Sequence, residues 1–303
     1  MIPLESRFVQ YLYYRYPSGK KWTAETAVRA IADLDQGFEP LQISRDQLEQ
    51  QIESYATDLS FERVCKMIYL NTRSEFEKDQ IALLGDKNPR YTFFIPQLLK
   101  LFPEAKFIHL VRDYRDNIVS VQRAGKLIQE SGNTYFSMGR WLLYNRFAFK
   151  YQEKYPDRFC RVHFEQLIRE PETVMKQLCS FLELDYQAEV LNFQKGLGKY
   201  FQEEGFNALH QSLQTPFDLS KIGEWESELP RRRAIRCEVL GGHFPERIGY
   251  PPKFNVNLLK RICIKLVYYP LVLLGQIRFF LKILFYRWRF VMRMAYGFLI
   301  KLK

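Results

Sequence analysis

The chain has 303 residues, 47% of them apolar, and a formal net charge of +11. This length and apolar content exclude a small disulfide-stapled scaffold and a disordered polyelectrolyte, and they allow one large folded domain with an appendage. The five cysteines occur without CxxC or His-adjacent spacing. They therefore predict neither a disulfide framework nor a structural zinc site, and they favour a reducing compartment.

The positive charge is concentrated at the C-terminal end. Ten Lys and Arg residues, and no Asp or Glu, follow Val256. Because the rest of the chain is then close to neutral, the net charge does not indicate a nucleic-acid partner. We divide the chain into a domain over 1–255 and a basic, aromatic-rich helical tail over 256–303.

The N-terminal quarter is predicted to be helical. Its first 23 residues lack a charged segment followed by an apolar one, so no signal peptide is expected. Ser44 and Gln47 form a capping box, and Cys65 falls on the apolar face of an amphipathic pattern, which makes it a core residue. The predicted helices cover 23–36, 44–56 and 60–71.

Residues 85–123 carry the strongest local pattern. The sequence predicts a helix from Thr92 to Phe102, a buried strand from Ala105 to Val111, and a second helix after a polar turn. Asp113 is placed to cap the second helix, and Asp116 lies in its first turn, where the helix dipole favours a negative charge.

Two side chains at this turn are suited to a phosphate. Arg112 lies immediately after the carboxyl end of the strand, where ligands bind in open α/β sheets. Ser120 lies on the helix, on the same face as Asp116. A guanidinium and a hydroxyl beside a helix N-terminus fit a phosphate group. The alternative is that Arg112 pairs with Asp113 or Asp116 and that Ser120 is an ordinary helix residue.

The following elements complete an α/β pattern. The sequence predicts a helix over 141–151 and a second buried strand over 158–167. A further helix begins at Pro171, and a loop-like region covers 192–229. This alternation predicts a parallel sheet with helices on both faces. His109 and His163 fall inside the strands and are expected to be core histidines.

The tail is predicted to be an amphipathic helix. Its longest uncharged run, Leu266 to Ile277, has 12 residues and contains Pro270, which is short of the roughly 20 residues of a membrane-spanning helix. Basic residues recur on one helical face, so we expect residues 257–300 to lie on an anionic membrane surface of a cytoplasmic protein. The alternative is packing on the body or on another subunit.

The stretch GDKNPRYTFFIPQLLKLFPEAKFIHLVRDYRDNIVSV resembles the PAPS-dependent sulfotransferases, in particular the bacterial and tyrosylprotein branch. The resemblance continues through the helix at Trp141 and the segments RVHFEQLIREPE, VMKQLCSFLEL and HQSLQTPFDLSKIGEWESELP. It implies a P-loop-type α/β fold, and 3′-phosphoadenosine 5′-phosphosulfate (PAPS) as the donor.

The resemblance also implies roles for individual residues. Arg112 and Ser120 match the pair that holds the donor's 3′-phosphate, and Lys221 lies in a segment that approaches the donor. Lys87, in the DK-x-P motif, matches a lysine that assists at the sulfuryl group, and Glu5 matches the catalytic glutamate. Lys87 could instead be a surface lysine beside a turn, and Glu5 an exposed glutamate near the terminus.

One part of the family's pattern is not found. Its members normally carry, before the glutamate, a strand and an Arg-Ser-Gly-Thr-Thr loop whose N–H groups hold the 5′-phosphosulfate. Glu5 leaves no room for them, so we expect a chain that begins inside the domain. Residues Tyr16 to Thr23 imitate such a loop, but they follow FVQYLYYRY rather than an apolar strand.

Two hypotheses from different classes follow. The first is a sulfotransferase that acts on a hydroxyl or amine, with Glu5 as the base and Lys87 stabilising charge at the sulfuryl group. The second is a non-catalytic, membrane-associated protein of the same fold. No ligand cluster implies a metal, and the sequence indicates neither the acceptor nor the oligomeric state.

Overall fold

A computed structural model of the chain describes residues 8–16, 21–37, 45–55, 58–72, 81–128, 133–196 and 217–300. The chain divides into two compact units. The first comprises Met1–Ala105 and Lys282–Lys303, and the second Lys106–Leu281.

The first unit is helical in its described part. It contains helices α1 (Phe8–Arg15), α2 (Ala24–Gly37), α3 (Arg45–Ser54), α4 (Phe61–Asn71) and α5 (Ile95–Leu101). Their apolar faces share one core, in which Trp22 meets Phe61 edge to face, with ring centroids 5.8 Å apart. Cys65 is fully buried in this core, as predicted. Ser44 of the predicted capping box lies outside the described residues.

The helix predicted from Thr92 begins differently. Asn88 accepts a hydrogen bond from the backbone N–H of Arg90, and Pro89 opens a 3₁₀ turn, Pro89–Phe94, before α5 starts at Ile95. The Asn-Pro pair sets this start because proline has a fixed φ and no N–H to donate.

The second unit contains a parallel strand pair. Strand β1 (Phe107–Val111) pairs with β2 (Phe159–His163), with Phe107 opposite Phe159, and their rings stack with centroids 4.7 Å apart. Helices among the described residues of this unit are α6 (Tyr114–Ile128), α7 (Thr134–Lys154), α8 (Phe164–Arg169), α9 (Pro171–Leu182), α10 (Trp225–Glu228), α11 (Arg231–Gly241) and α12 (Phe244–Arg247).

This arrangement agrees with the predicted α/β class, but β1 is not the fully buried strand that its composition predicted. Ile108 is 46% exposed and Leu110 55% exposed, on one face of the strand, while Val111 is buried. A strand of apolar residues is buried on both faces only when other elements of the fold pack against each face.

Parts of the region predicted as a loop are ordered. The described residues of 192–229 include the end of a 3₁₀ segment, Ala188–Gly196, a 3₁₀ turn, Leu219–Lys221, and helix α10. Residues 197–216 lie outside the described part.

The tail forms helix α13, Leu258–Ile300, which continues through Pro270. Its segment Leu258–Leu281 is long and apolar enough to cross a membrane by length and composition. The 12-residue uncharged run therefore underestimates the apolar segment, because isolated charges interrupt the segment without ending it. That the tail lies on a membrane surface stays a prediction.

Candidate functional site

The turn between β1 and α6 has the local structure that the sequence predicts. The Asp113 carboxylate accepts a hydrogen bond from the backbone N–H of Arg115 at 2.8 Å, and the Asp113 carbonyl accepts one from Asn117. Asp113 therefore caps α6, and Asp116 lies in the first turn of the helix.

Arg112 occupies the end of β1 in a partly enclosed position. Its guanidinium lies over the Phe164 ring, 4.6 Å from the centroid, and donates one hydrogen bond of 2.7 Å to the Lys221 carbonyl. Its backbone carbonyl accepts a hydrogen bond from the Trp141 indole. The Nε–H is buried and has no partner in the described part of the chain. A buried donor of this kind is costly to leave unpaired, so this side chain is suited to an anionic ligand.

The two nearby aspartates bind other groups, and neither forms a salt bridge with Arg112 among the described residues. Burial raises the pKa of Asp116, whereas the Arg112 charge lowers it. Asp113 forms a salt bridge of 2.6 Å with Arg115, which also binds Glu238 at 2.9 Å. Asp116 accepts hydrogen bonds from the backbone N–H groups of Gly223 and Trp225, each at 2.9 Å.

Asp116 thereby fixes the segment that precedes α10. Burial raises the pKa of its carboxyl group, while the N–H groups of Trp225 and Gly223 lower it, and the net shift is upward. Gly223 adopts a φ of +76°, a conformation that favours glycine, so its N–H can reach the carboxylate. Sequence reasoning placed Asp116 at the helix start but missed this second role.

Ser120 lies on α6, half-buried, and its hydroxyl has no hydrogen-bond partner among the described residues. The Arg112 guanidinium and the Ser120 hydroxyl thus belong to one strand–turn–helix element, and each has a donor that the described chain does not use.

Lys221 is a further residue of this site. Its carbonyl binds Arg112, and its ammonium group lies 3.3 Å from Glu224, which also pairs with Arg123 at 2.8 Å. The resemblance pointed to this segment. The contact with Arg112, however, joins residues 109 positions apart in the sequence, so no local pattern could have revealed it.

The two strand histidines are half-buried and each has a structural partner, but His109 Nδ1 is buried without a partner in the described part of the chain. His109 Nε2 lies 2.9 Å from the Asn145 side chain, and burial lowers the His109 pKa. His163 lies 3.2 Å from the Tyr250 hydroxyl, which donates to Glu165 at 2.8 Å. Burial also lowers the His163 pKa.

The remaining predicted residues belong to the first unit. Lys87 is exposed and follows Asp86, whose carboxylate accepts a 2.6 Å hydrogen bond from Tyr69. Glu5 lies outside the described residues. Over the described ranges no group of three or more His, Cys, Asp or Glu side chains is placed to bind a metal ion.

The segment that imitates a phosphate loop has a helical neighbour. Residues Phe8–Arg15 form helix α1 rather than a strand. Tyr16 and Trp22 are core side chains of the first unit, with ring centroids 5.5 Å apart. The strand–loop–helix order of a phosphate loop is therefore absent immediately before Tyr16, while residues 17–20 lie outside the described part.

Comparison with known proteins decides the family. Residues 6–188 match the family model described as "Sulfotransferase family". The chain belongs to the sulfotransferase family. This match includes Lys87, Arg112 and Ser120.

Several relatives carry sulfotransferase names. The chain is 24% identical over 195 residues to protein-tyrosine sulfotransferase A of Caenorhabditis elegans, which covers 61% of this chain and 51% of the relative. It is 32% identical over 113 residues to the omega-hydroxy-beta-dihydromenaquinone-9 sulfotransferase of Mycobacterium bovis, covering 32% and 28% respectively. The chain thus spans about half the length of the tyrosine sulfotransferase that it matches.

Solved structures show the same fold. The sulfotransferase domain from the curacin biosynthetic pathway superposes with a TM-score of 0.52 at 20% sequence identity, over 82% of this chain and 88% of that domain. The sulfotransferase domain from the Synechococcus PCC 7002 olefin synthase gives a TM-score of 0.50 at 18% identity, covering 82% and 85%. The predicted α/β sulfotransferase fold is thereby confirmed.

Proposed function

We propose that this sulfotransferase uses PAPS as its donor and a hydroxyl group as its acceptor, with Arg112 and Ser120 holding the donor's 3′-phosphate. The observation that carries the proposal is the state of Arg112. Its guanidinium is oriented by Phe164 and the Lys221 carbonyl, yet its buried Nε–H has no partner in the described chain.

The chemistry of this element fits a phosphate. A guanidinium recognises phosphate oxygens through parallel N–H bonds, and a hydroxyl adds one more donor. The N-terminus of α6 contributes positive potential, although Asp113 and Asp116 reduce it. When bound, PAPS supplies an activated sulfuryl group.

The proposed chemical step uses two residues of the first unit. Glu5 accepts the proton of the acceptor hydroxyl as the hydroxyl oxygen bonds to sulfur. The bond between sulfur and the 5′-phosphate oxygen of PAPS breaks in the same step, adenosine 3′,5′-bisphosphate leaves, and Lys87 stabilises the negative charge that develops at the sulfuryl oxygens. The exposed position of Lys87 allows it to meet a ligand from solvent. Both roles rest on the resemblance of their motifs.

A hydroxyl acceptor is favoured over an amine by the relatives. One relative is named for tyrosine and one for an omega-hydroxylated dihydromenaquinone. Both of these compounds carry a hydroxyl group. Loss of a proton during attack makes a general base useful for either compound.

Donor binding is tested by calorimetry with adenosine 3′,5′-bisphosphate. Arg112→Met keeps the contact with Phe164 but removes all N–H donors, and we expect about a 30-fold or greater loss of affinity. Ser120→Ala should cost about fivefold. Arg146→Met, at an exposed arginine on α7, is the matched control and should bind as the wild type does. Equal affinity in Arg112→Met and the control would overturn the assignment.

Turnover is tested separately with PAPS and a simple phenol. Lys87→Met and Glu5→Gln should each lower kcat about 100-fold or more while leaving nucleotide affinity within about twofold, because the groups act on the transition state. Lys66→Met, at another exposed lysine of the first unit, should retain activity. Unchanged kcat in Lys87→Met would remove that residue from the proposed chemistry without affecting the donor assignment.

A further inference from the structure

One face of helix α13 carries a row of exposed apolar side chains. Ile262, Leu266, Leu273, Ile277 and Phe280 are between 45% and 73% exposed. At about 100° per residue, these five positions fall within about 60° of one another around the helix axis. We call this row the outer face. Its residues follow one another for about 27 Å at 1.5 Å per residue, so it is a continuous nonpolar strip.

The opposite face of the same helix is packed against α7. Val272 and Ile264 are buried. A Cβ atom on Gly139 would lie 2.4 Å from the Val272 carbonyl oxygen, and one on Gly275 would lie 2.7 Å from the Cα of Phe136. The two helix backbones are therefore in direct contact at these glycines, which have no side chain to separate them. The first half of α13 is therefore held against α7 at this crossing.

Basic side chains lie between these two faces. Lys260 and Arg278 fall about 130° to one side of the middle of the outer face, and Lys265 about 90° to the other. All three are exposed, and α13 contains no Asp or Glu. Long basic side chains in such positions extend their charged ends toward lipid headgroups while their methylene chains follow the apolar strip.

We propose that α13 lies in the plane of an anionic membrane surface, with its outer face inserted at the boundary between headgroups and acyl chains. This attachment is independent of the sulfuryl-transfer proposal. The charge of the helix complements anionic lipid, and the pattern of an apolar strip flanked by Lys and Arg is that of an interfacial helix.

Packing on α7 argues against a transmembrane orientation of the same segment. Leu258–Leu281 could cross a bilayer by length and composition, and only 17% of it is buried. A crossing would nevertheless carry α7 with it, including the exposed Arg146 and Lys150, and charged groups in the hydrocarbon core are costly. Lying in the plane avoids this cost.

Vesicle flotation with the full chain tests the attachment. We expect binding to phosphatidylcholine vesicles that contain phosphatidylglycerol, and weaker binding to phosphatidylcholine alone. Leu266→Glu combined with Leu273→Glu should lower the partition coefficient by about tenfold or more. Leu219→Glu, at a 62% exposed leucine outside the helix, is the matched control and should float as the wild type does. Circular dichroism checks that each variant is folded.

Three results would overturn the proposal. They are no flotation of the wild type, equal flotation of the double variant and the control, and a dimer in lipid-free solution that the double variant abolishes. The last would assign the outer face to a second copy of the chain.

The orientation is tested by thiol labelling on intact vesicles. Two variants each carry one introduced cysteine, in place of Asn255 or of Arg278, and about 30 Å of helix separates these two positions. In both variants the native cysteines outside the core are replaced by serine. An impermeant reagent added outside should label both positions. Protection of one position until the vesicles are lysed would show a spanning helix and overturn the in-plane orientation.

Discussion

Asp116 offers a direct test of how the site is assembled. Its carboxylate is 1% exposed and accepts the backbone N–H groups of Gly223 and Trp225, both at 2.9 Å. Asp116→Ala removes both bonds and leaves two N–H groups without their acceptor. A hydrogen bond to a charged group contributes about 1.5–3 kcal/mol, and the upward pKa shift shows that burial offsets part of this.

We therefore take the lower end of that range for each bond and expect a loss of about 3 kcal/mol in the free energy of unfolding. For a unit of 150–250 residues this corresponds to a fall of about 6–12 °C in Tm. Asp116→Asn keeps one acceptor oxygen and should lose about half as much.

The assay combines thermal unfolding with amide hydrogen exchange. In Asp116→Ala the N–H groups of Gly223 and Trp225 should exchange faster, while exchange in β1 changes little. Asp185→Ala, at an exposed aspartate of the same unit, is the control. If Asp116→Ala is as stable as this control to within about 0.5 kcal/mol, and exchange at the two amides is unchanged, the reasoning is refuted.

Three further predictions concern stability and packing. Glu238→Gln removes one of the two carboxylates that pair with buried Arg115, at 2.9 Å, while Asp113 stays paired at 2.6 Å. It should cost about 1–3 kcal/mol of unfolding free energy, measured by urea denaturation. An effect below about 0.5 kcal/mol would contradict the buried-pair account. Burial lowers the pKa of His109, so the unfolded state binds its proton first as the pH falls, and the free energy of unfolding should decrease below about pH 6.5. His109→Gln should lose less stability than the wild type between about pH 7.5 and about pH 5. The same dependence of stability on pH in both proteins would contradict this account. Gly139→Ala forces apart the backbones of α7 and α13 and should speed proteolysis and amide exchange in α13. The control Lys150→Ala, at an exposed position of α7, should leave both rates unchanged. Equal proteolysis and exchange rates in the two variants would contradict the close contact.

The sequence predicted the central element through local rules. Asp113 caps α6 because its side chain reaches an N–H two residues away, and such a contact depends on neighbouring residues alone. Cys65 was predicted to be buried from helical periodicity for the same reason. The start of α5 was predicted less well, because the residues after Asn88 form a 3₁₀ turn, with a different backbone hydrogen-bond pattern, before the α-helix begins.

The exposure of β1 and the role of Asp116 could not be read in this way. Ile108 and Leu110 fit a covered strand by composition, but their exposure depends on which layers lie over that face. Asp116 fits a helix start, while its bonds to Gly223 and Trp225 join positions more than 100 residues apart. The tail shows the same contrast, because its apolar and basic pattern predicted a helix, whereas the face packed on α7 was set by the glycines at the crossing.

By itself, then, the sequence determined the sulfotransferase family, the strand–turn–helix that carries Arg112 and Ser120, and the helical, cationic character of the tail. These features depend on residue types at short spacing, which hydrogen bonding and helical periodicity translate directly into local structure. Only the tertiary structure decided that Arg112 keeps an unpaired buried donor, because Lys221 and Phe164 satisfy just part of its guanidinium. Which polar groups remain unpaired depends on the packing of distant segments, and that packing is a property of the whole fold.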